Sequence, residues 1–141
     1  RKVVEFEKEH PDSVHGILEF NEAKAHLTYA GGDILLMPSL FEPCGLSQMI
    51  AFAYGTIPVA RATGGLADTV IDADGSPDGT GFLFKDFASG ELHKAIERAL
   101  AAKEDGKRWD GIIRNAMGAD FSWDNSAKAY AELYRDILTS D

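Results

Sequence analysis

The feature that most constrains the fold is a run of four apolar residues, Ile34–Met37. Such a run is short for a helix, and a strand that is apolar on both faces belongs inside a parallel sheet. Residues 57–60 and 81–84 repeat the pattern, and residues 14–20 are predicted as a further short strand. Because segments with helical spacing separate these runs, the chain is predicted to form an α/β fold. It would have a parallel sheet of about four strands with flanking helices.

The segments between the strands carry apolar residues at the spacing of helices. Helices are predicted at residues 1–8, 22–30 and 46–53, and three more follow residue 88. Asn21 and Ser122 are predicted N-caps, and Gly55 is predicted to end the third helix. The two tryptophans and the last tyrosines are expected in the hydrophobic core.

Composition excludes several classes of protein. The chain has 141 residues, enough for one domain, with 14 Lys and Arg against 23 Asp and Glu, a net charge of −9. This balance argues against a nucleic-acid or membrane-surface partner, and no apolar run approaches the ~18 residues of a membrane span. Cys44 is the only cysteine, and the four histidines show no metal-ligand spacing, so neither a metal nor a cofactor is expected.

Two loops follow predicted strands and carry candidate binding groups. In residues 39–46, Glu42 has a carboxylate that can accept sugar hydroxyls, and Gly45 allows backbone to approach a ligand closely. A helix is predicted just after this loop, and helix N-termini favour anions such as diphosphates. The alternative is that Glu42 only caps this helix while Pro43 stiffens its entry.

The second loop, residues 62–69, contains a threonine followed by two glycines. The Thr63 hydroxyl and the N–H groups of Gly64 and Gly65 can cradle a phosphate oxygen. The alternative is an ordinary tight turn. Neither loop alone is specific, but their order and separation are more informative than each loop by itself.

Together these segments resemble bacterial glycogen synthase and plant starch synthase, which are retaining glycosyltransferases of the GT-B type. The resemblance rests on residues 41–46 (FEPCGL), 54–59 (YGTIPV) and 62–70 (ATGGLADTV). Further matches lie at residues 29–33, 36–39, 79–82, 114–117 and 120–123. It implies transfer of glucose from ADP-glucose, or UDP-glucose in some relatives, to the non-reducing end of an α-1,4-glucan without a metal.

The resemblance also implies roles for individual residues. Glu42 matches the catalytic glutamate that binds the donor glucose and supports developing positive charge. The donor-binding positions are Cys44, Gly45 and Leu46, through their backbone, and Thr63, Gly64 and Gly65. These would hold the donor sugar and its diphosphate.

Three positions depart from common patterns of the wider group. Phe20 lies where a tyrosine commonly stacks on the adenine, and its ring can still stack. Asn21 replaces a common aspartate. Ile50 stands where related families have a second glutamate, eight residues after Glu42, and glycogen and starch synthases also lack that glutamate.

Residues 1–141 resemble only the later part of the C-terminal, nucleotide-sugar-binding domain, with a Rossmann-like part at 1–118 and a C-terminal helix at 119–141. The chain begins at Arg1 in what is predicted to be mid-helix, so we expect a fragment. The N-terminal domain, the diphosphate-binding Arg and Lys, and the first two strands of the sheet would be missing. The fragment alone is therefore expected to be inactive. It would either pair residues 14–20 with the next strand or associate with a second copy.

Two alternatives stay open at this point. One is a different nucleotide-sugar transferase, such as a relative of sucrose synthase, and the other is a non-catalytic nucleotide-binding or assembly module. The resemblance favours a bacterial cytoplasm, with a plastid as the second possibility. The expected partners are a nucleotide sugar, an α-glucan acceptor and the N-terminal domain of the same enzyme.

Overall fold

A computed structural model describes residues 2–139 as an α/β structure. Its elements are α1 (Lys2–Glu9), α2 (Glu22–Gly31), β1 (Ile34–Met37), α3 (Ser47–Tyr54), β2 (Ile57–Arg61), α4 (Gly65–Thr69), β3 (Phe82–Phe84), α5 (Ser89–Glu104), α6 (Gly106–Gly118) and α7 (Trp123–Thr139). The strands form a parallel sheet in the order β1-β2-β3. The predicted fold class is confirmed, and no helix within the described residues is long and apolar enough to cross a bilayer.

The central strand β2 organises the core. Ile34 of β1 pairs with Ile57, and Val59 pairs with Phe82 of β3. The first four residues of β2 are all buried, as expected of a strand that has a neighbour on each edge and helices over its faces. Helices α5 and α6 cover the sheet with buried side chains: Ala95, Ala99, Ala102, Trp109, Ile112 and Ala116.

Helix boundaries follow the local signals read from the sequence. The Asn21 Oδ1 atom accepts a hydrogen bond of 2.9 Å from the backbone N–H of Lys24, which confirms this N-cap. Gly55 ends α3 at φ 75°, a left-handed conformation that glycine adopts without steric cost. The hydroxyl oxygen of Ser122 accepts a long hydrogen bond of 3.4 Å from the N–H of Asn125 at the start of α7.

The prediction of a strand at residues 14–20 is wrong, so the sheet has three strands instead of about four. This segment runs without strand pairing and does not pack beside β1, so the expected repacking of the sheet is not observed. Gly16 lies against Val3 of α1, while Ile17 and Leu18 are exposed. The apolar pattern favours an extended backbone, but a strand also needs hydrogen bonds from a neighbour.

The expectation that the two tryptophans and the last tyrosines lie in the core holds for Trp109 only. Trp109 is buried, but Trp123 is 85% exposed, and Tyr130 and Tyr134 are exposed as well. These three lie on α7, which has no buried residue in the described part of the chain. Helical spacing shows which residues share a face, but it does not supply a surface to cover that face.

Candidate functional site

Two loops meet at the carboxyl end of the sheet, where parallel α/β sheets bind ligands. The acidic loop (residues 38–46) follows β1, and the glycine loop (residues 62–65) follows β2. The N–H of Gly65 donates a 3.0 Å hydrogen bond to the backbone oxygen of Glu42. A Cβ atom on Gly64 would lie 2.0 Å from that same oxygen, and one on Gly65 would lie 2.0 Å from the Cys44 oxygen. Both glycines are therefore required for the two backbones to touch.

A small apolar cluster supports this junction from below. Met37 at the end of β1, Ala60 in β2 and Leu66 in α4 are buried together. Each lies at or next to the point where its element joins one of the two loops. The loops are therefore held by packing as well as by the hydrogen bond between them, as a site on a rigid scaffold requires.

The Glu42 side chain is not used in building the loop. It is half-buried, and it makes no hydrogen bond or ion pair with any residue in the described range 2–139. Helix α3 begins after Leu46 without a side-chain cap, so the capping alternative for Glu42 does not hold. The backbone of Glu42 is fixed while its carboxylate is free to accept hydrogen bonds from a ligand.

Arg61 anchors the acidic loop, a role that the sequence analysis missed. Its guanidinium donates hydrogen bonds to the backbone oxygens of Leu40 (2.6 Å), Ser39 (3.4 Å) and Lys85 (3.1 Å). It also lies over the ring of Phe87, 5.7 Å from the ring centre. This cation at the end of β2 is therefore largely committed to the protein's own backbone, which only the folded geometry reveals.

Gln48 and Thr69 were also missed, and they connect the two loops beneath the surface. Gln48 is fully buried and donates from Nε2 to the Cys44 backbone oxygen (3.1 Å) and to the Thr69 hydroxyl (3.0 Å). The Thr69 hydroxyl in turn donates to the Gly65 backbone oxygen (2.6 Å). A glutamine in an amphipathic helix pattern gives no local sign of this contact, which crosses from one loop to the other.

The remaining predicted loop residues differ in exposure. Gly45 is buried at φ 74°, while the side chains of Cys44 and Leu46 are exposed. The Cys44 thiol faces solvent, while its backbone oxygen is held by the Gln48 amide. Thr63 is half-buried and its N–H donates to the Arg61 oxygen at 2.9 Å.

Phe20 lies apart from both loops. Its ring is fully exposed at the mouth of a groove of about 780 Å³ between residues 15–21, α2 and the exposed edge of β1. Tyr29 and Ile50 also line this groove, but no residue of the acidic or glycine loop does. The structure therefore places Phe20 and Ile50 on one groove, and it brings Glu42 together with the glycine loop as a second half of the candidate site.

Two aspartates in the loop between α4 and β3 have a structural role. Asp72 forms an ion pair with Arg98, and Asp74 pairs with both Arg98 and Arg108. Burial raises the pKa of Asp72, but hydrogen bonds from Arg98 and from the N–H groups of Leu83 and Asp74 outweigh it and hold this pKa below its usual value. Within residues 2–139, no three His, Cys, Asp or Glu side chains converge as metal ligands.

The parallel sheet with flanking helices carries both loops at its carboxyl end, the edge at which such sheets bind ligands. The chain belongs to the family of glycosyl transferases group 1, whose pattern it matches over residues 6–116.

Relatives within this family are glycogen synthases. The chain is 50% identical over 130 residues to the glycogen synthase of Anaeromyxobacter sp. (strain Fw109-5), covering 92% of this chain and 27% of that protein. It is 48% identical over 131 residues to the glycogen synthase of Bacillus cereus (strain B4264), covering 92% and 28%. The chain thus spans little more than a quarter of the length of these relatives.

Two solved structures also superpose on this chain. The catalytic domain of starch synthase IV from Arabidopsis thaliana, bound to ADP and acarbose, superposes with a TM-score of 0.84 at 40% identity, over 96% of this chain and 29% of that one. Sucrose-phosphate synthase from Thermosynechococcus elongatus superposes with a TM-score of 0.68 at 29% identity, over 100% of this chain and 35% of that one. The similarity to glycogen and starch synthases predicted from the motifs is confirmed.

Proposed function

We propose that this chain is the donor-binding portion of a glycogen or starch synthase, which transfers glucose from a nucleotide sugar to an α-glucan with retention. The observation that carries the proposal is the free carboxylate of Glu42 on a backbone locked to the glycine loop by the 3.0 Å hydrogen bond from Gly65. Parallel sheets bind ligands at this edge. The solved relative bound to ADP and acarbose supports a nucleoside diphosphate and an oligosaccharide as ligands.

Each half of the site would hold one part of the donor. Glu42 accepts glucose hydroxyls and stabilises the positive charge that develops as the diphosphate leaves. The backbone of Cys44, Gly45 and Leu46 and the Thr63-Gly64 turn border the sugar and diphosphate. The Gly65 N–H cannot cradle a phosphate oxygen as the sequence predicted, because it donates to the Glu42 oxygen. In the other half, the Phe20 ring stacks on the base of the donor.

Charge explains why this chain is proposed to lack transfer activity by itself. Its net charge is −9, and the acidic and glycine loops contain no lysine or arginine. Arg61 beside them already donates to three backbone oxygens. Stabilising a departing diphosphate requires preorganised cations, which the N-terminal domain and the rest of the C-terminal domain would supply.

Two further proposals follow from the same reasoning. The edge of β1 opposite β2 carries no strand in the described part of the chain, which supports pairing with a second copy when this chain is isolated. The bacterial relatives favour a bacterial cytoplasm over a plastid as the location.

Calorimetric titration of the chain with ADP, ADP-glucose and UDP-glucose tests the donor assignment. We expect ADP and ADP-glucose to bind, and Glu42→Gln to weaken ADP-glucose about tenfold, since a hydrogen bond to a charged group contributes roughly 1.5–3 kcal/mol. ADP binding should be unchanged, because Glu42 is assigned to the sugar.

Glu104→Gln is the matched control, because Glu104 is exposed at the end of α5, outside both loops. Equal weakening by both substitutions would remove Glu42 from the site. Tighter binding of UDP-glucose than of ADP-glucose would assign UDP-glucose as the donor. Binding of all three nucleotides without any sensitivity to Glu42 would favour a non-catalytic nucleotide-binding module.

A further inference from the structure

We propose that Gln48 and Thr69 are positioning residues that set the distance between the acidic loop and the glycine loop, and so shape the donor site. This inference rests on the proposed function, because it assigns to a buried pair the geometry that the donor would meet. Neither side chain would touch the donor. Gln48 is fully buried, and Thr69 lies in α4 behind the glycine loop.

The hydrogen bonds form a continuous connection from one loop to the other. Gln48 Nε2 holds the Cys44 oxygen on the acidic loop at 3.1 Å and the Thr69 hydroxyl at 3.0 Å. Thr69 then donates to the Gly65 oxygen at 2.6 Å. The N–H of Gly65 returns to the Glu42 oxygen, which closes a ring of contacts through both loops. A shift of Gln48 would therefore be felt at Glu42 and at Gly65 together.

Stability alone does not explain why an amide side chain stands at Gln48. Gln48 Oε1 is buried and has no hydrogen-bond partner within the described residues. Leaving a buried acceptor unpaired costs about 1–3 kcal/mol, whereas methionine would fill the same volume without a polar atom. A side chain that carries such a cost is better explained by the geometry it imposes than by packing.

Gly45 matches the Gln48 amide in shape. A Cβ atom on Gly45 would lie 2.4 Å from Gln48 Oε1, and Gly45 has a φ of 74°. The acidic loop thus turns around the amide at a position where only glycine combines this conformation with the available space. The buried amide and the glycine together fix where the backbone after Glu42 enters α3.

Amide hydrogen exchange and donor titration of Gln48→Met, Thr69→Val and Thr69→Ser test the connection. We expect Gln48→Met and Thr69→Val to speed exchange of the Gly65 amide about tenfold relative to that of Val59 in β2, the change expected for losing about 1.4 kcal/mol of hydrogen bonding. ADP-glucose binding should weaken by about the same factor. Thr69→Ser keeps the hydroxyl and should behave as the unmodified chain.

A purely structural role predicts a different pattern. In that case the variants would speed exchange of the Gly65 and Val59 amides equally, and Thr69→Ser would not selectively restore slow exchange at Gly65. That result overturns the proposal. Unchanged Gly65 exchange in both Gln48→Met and Thr69→Val also overturns it. Should Gln48→Met fail to fold, the near-isosteric pair Thr69→Val and Thr69→Ser decides alone.

The two proposals fail in distinguishable ways. If the unmodified chain binds no nucleotide sugar while Gly65 exchange responds as expected, the donor assignment fails and the connection between the loops stands. If the unmodified chain binds ADP-glucose and neither variant changes Gly65 exchange or binding, the donor assignment stands and the positioning role is wrong.

Discussion

The middle of this chain and its two flanks carry similar apolar side chains, but only those in the middle are buried. Every buried residue in the described part of the chain lies between Met37 and Ala116. The flanking helices α1, α2 and α7 have none, although they carry apolar side chains at regular helical spacing. The acidic and glycine loops belong to the middle region, whereas Phe20 belongs to a flank.

The difference lies in what each region can pack against. In the middle, β2 has a strand on each edge and helices over its faces, so apolar side chains meet other apolar side chains. In the flanks, α2 buries none of its own residues, and hydrogen bonds such as that from the Thr56 hydroxyl to the Tyr29 oxygen help to attach it. Burial, not periodicity, supplies most of the free energy that fixes a helix in place.

The largest expected effect contrasts an aromatic residue from each region. Phe52 is 1% exposed in the core, and Trp123 is 85% exposed on α7. Phe52→Ala should lower the free energy of unfolding by about 3–5 kcal/mol, because it removes buried area and leaves a cavity. Trp123→Ala should change it by less than about 0.5 kcal/mol. Urea denaturation followed by circular dichroism measures both, and a similar loss for the two variants would erase the contrast between the regions.

A second, smaller contrast uses glycines. A Cβ atom on Gly65 would lie 2.0 Å from a backbone oxygen, whereas one on Gly31 in α2 meets nothing within 4 Å. Gly65→Ala should therefore destabilise the chain by about 1–3 kcal/mol, as overpacking does, and should separate the two loops.

Gly31→Ala should be neutral or stabilise by up to about 1 kcal/mol, since alanine favours helix. The same denaturation experiment reports both values. If Gly65→Ala leaves the free energy of unfolding unchanged, the backbone contact between Gly65 and the acidic loop is not rigid.

The difference between the middle and the flanks also explains which elements could be predicted from the sequence. Continuous apolar runs predicted all three observed strands, because a short apolar run between turn residues is typical of a strand buried on both faces. Asn21 and Gly55 marked helix ends because their effects are local. Residues 14–20 carry equally strand-like side chains, but whether they pair depends on a neighbour, which a single segment cannot encode.

The candidate site divides in the same way. Glu42 and the paired glycines were singled out because they follow predicted strands in turn-rich loops, and their roles in donor binding stay predictions. Arg61 was missed because it donates to the backbone oxygen of Leu40, 21 residues away, and Gln48 because one of its partners, the Thr69 hydroxyl, is equally distant in sequence. Such contacts depend on which loops the fold brings together, so no residue spacing in the sequence predicts them.

The smallest expected effects concern two aspartates whose pKa values are both lowered. Hydrogen bonds and charge from Arg98 outweigh the burial of Asp72, while Asp120 beside α7 is fully exposed and held by hydrogen bonds from Ser122. Asp72→Asn should lower the free energy of unfolding by about 1 kcal/mol near neutral pH, after allowance for solvent screening.

The pH dependence of the free energy of unfolding separates the two aspartates more clearly than its value at neutral pH does. Because the pKa of Asp72 is lower in the folded state than in the unfolded state, its ion pair stabilises the fold fully above the ordinary aspartate pKa of about 3.9. That stabilisation is lost as the pH falls below this value and through the folded-state pKa. The difference between the unmodified chain and Asp72→Asn should therefore be constant from pH 7 to about pH 5 and shrink toward pH 3. Asp120→Asn should give no resolvable difference, because solvent screens its exposed contacts. A stability difference for Asp72→Asn that persists unchanged at pH 3 would show that shape, not charge, joins this loop to α5.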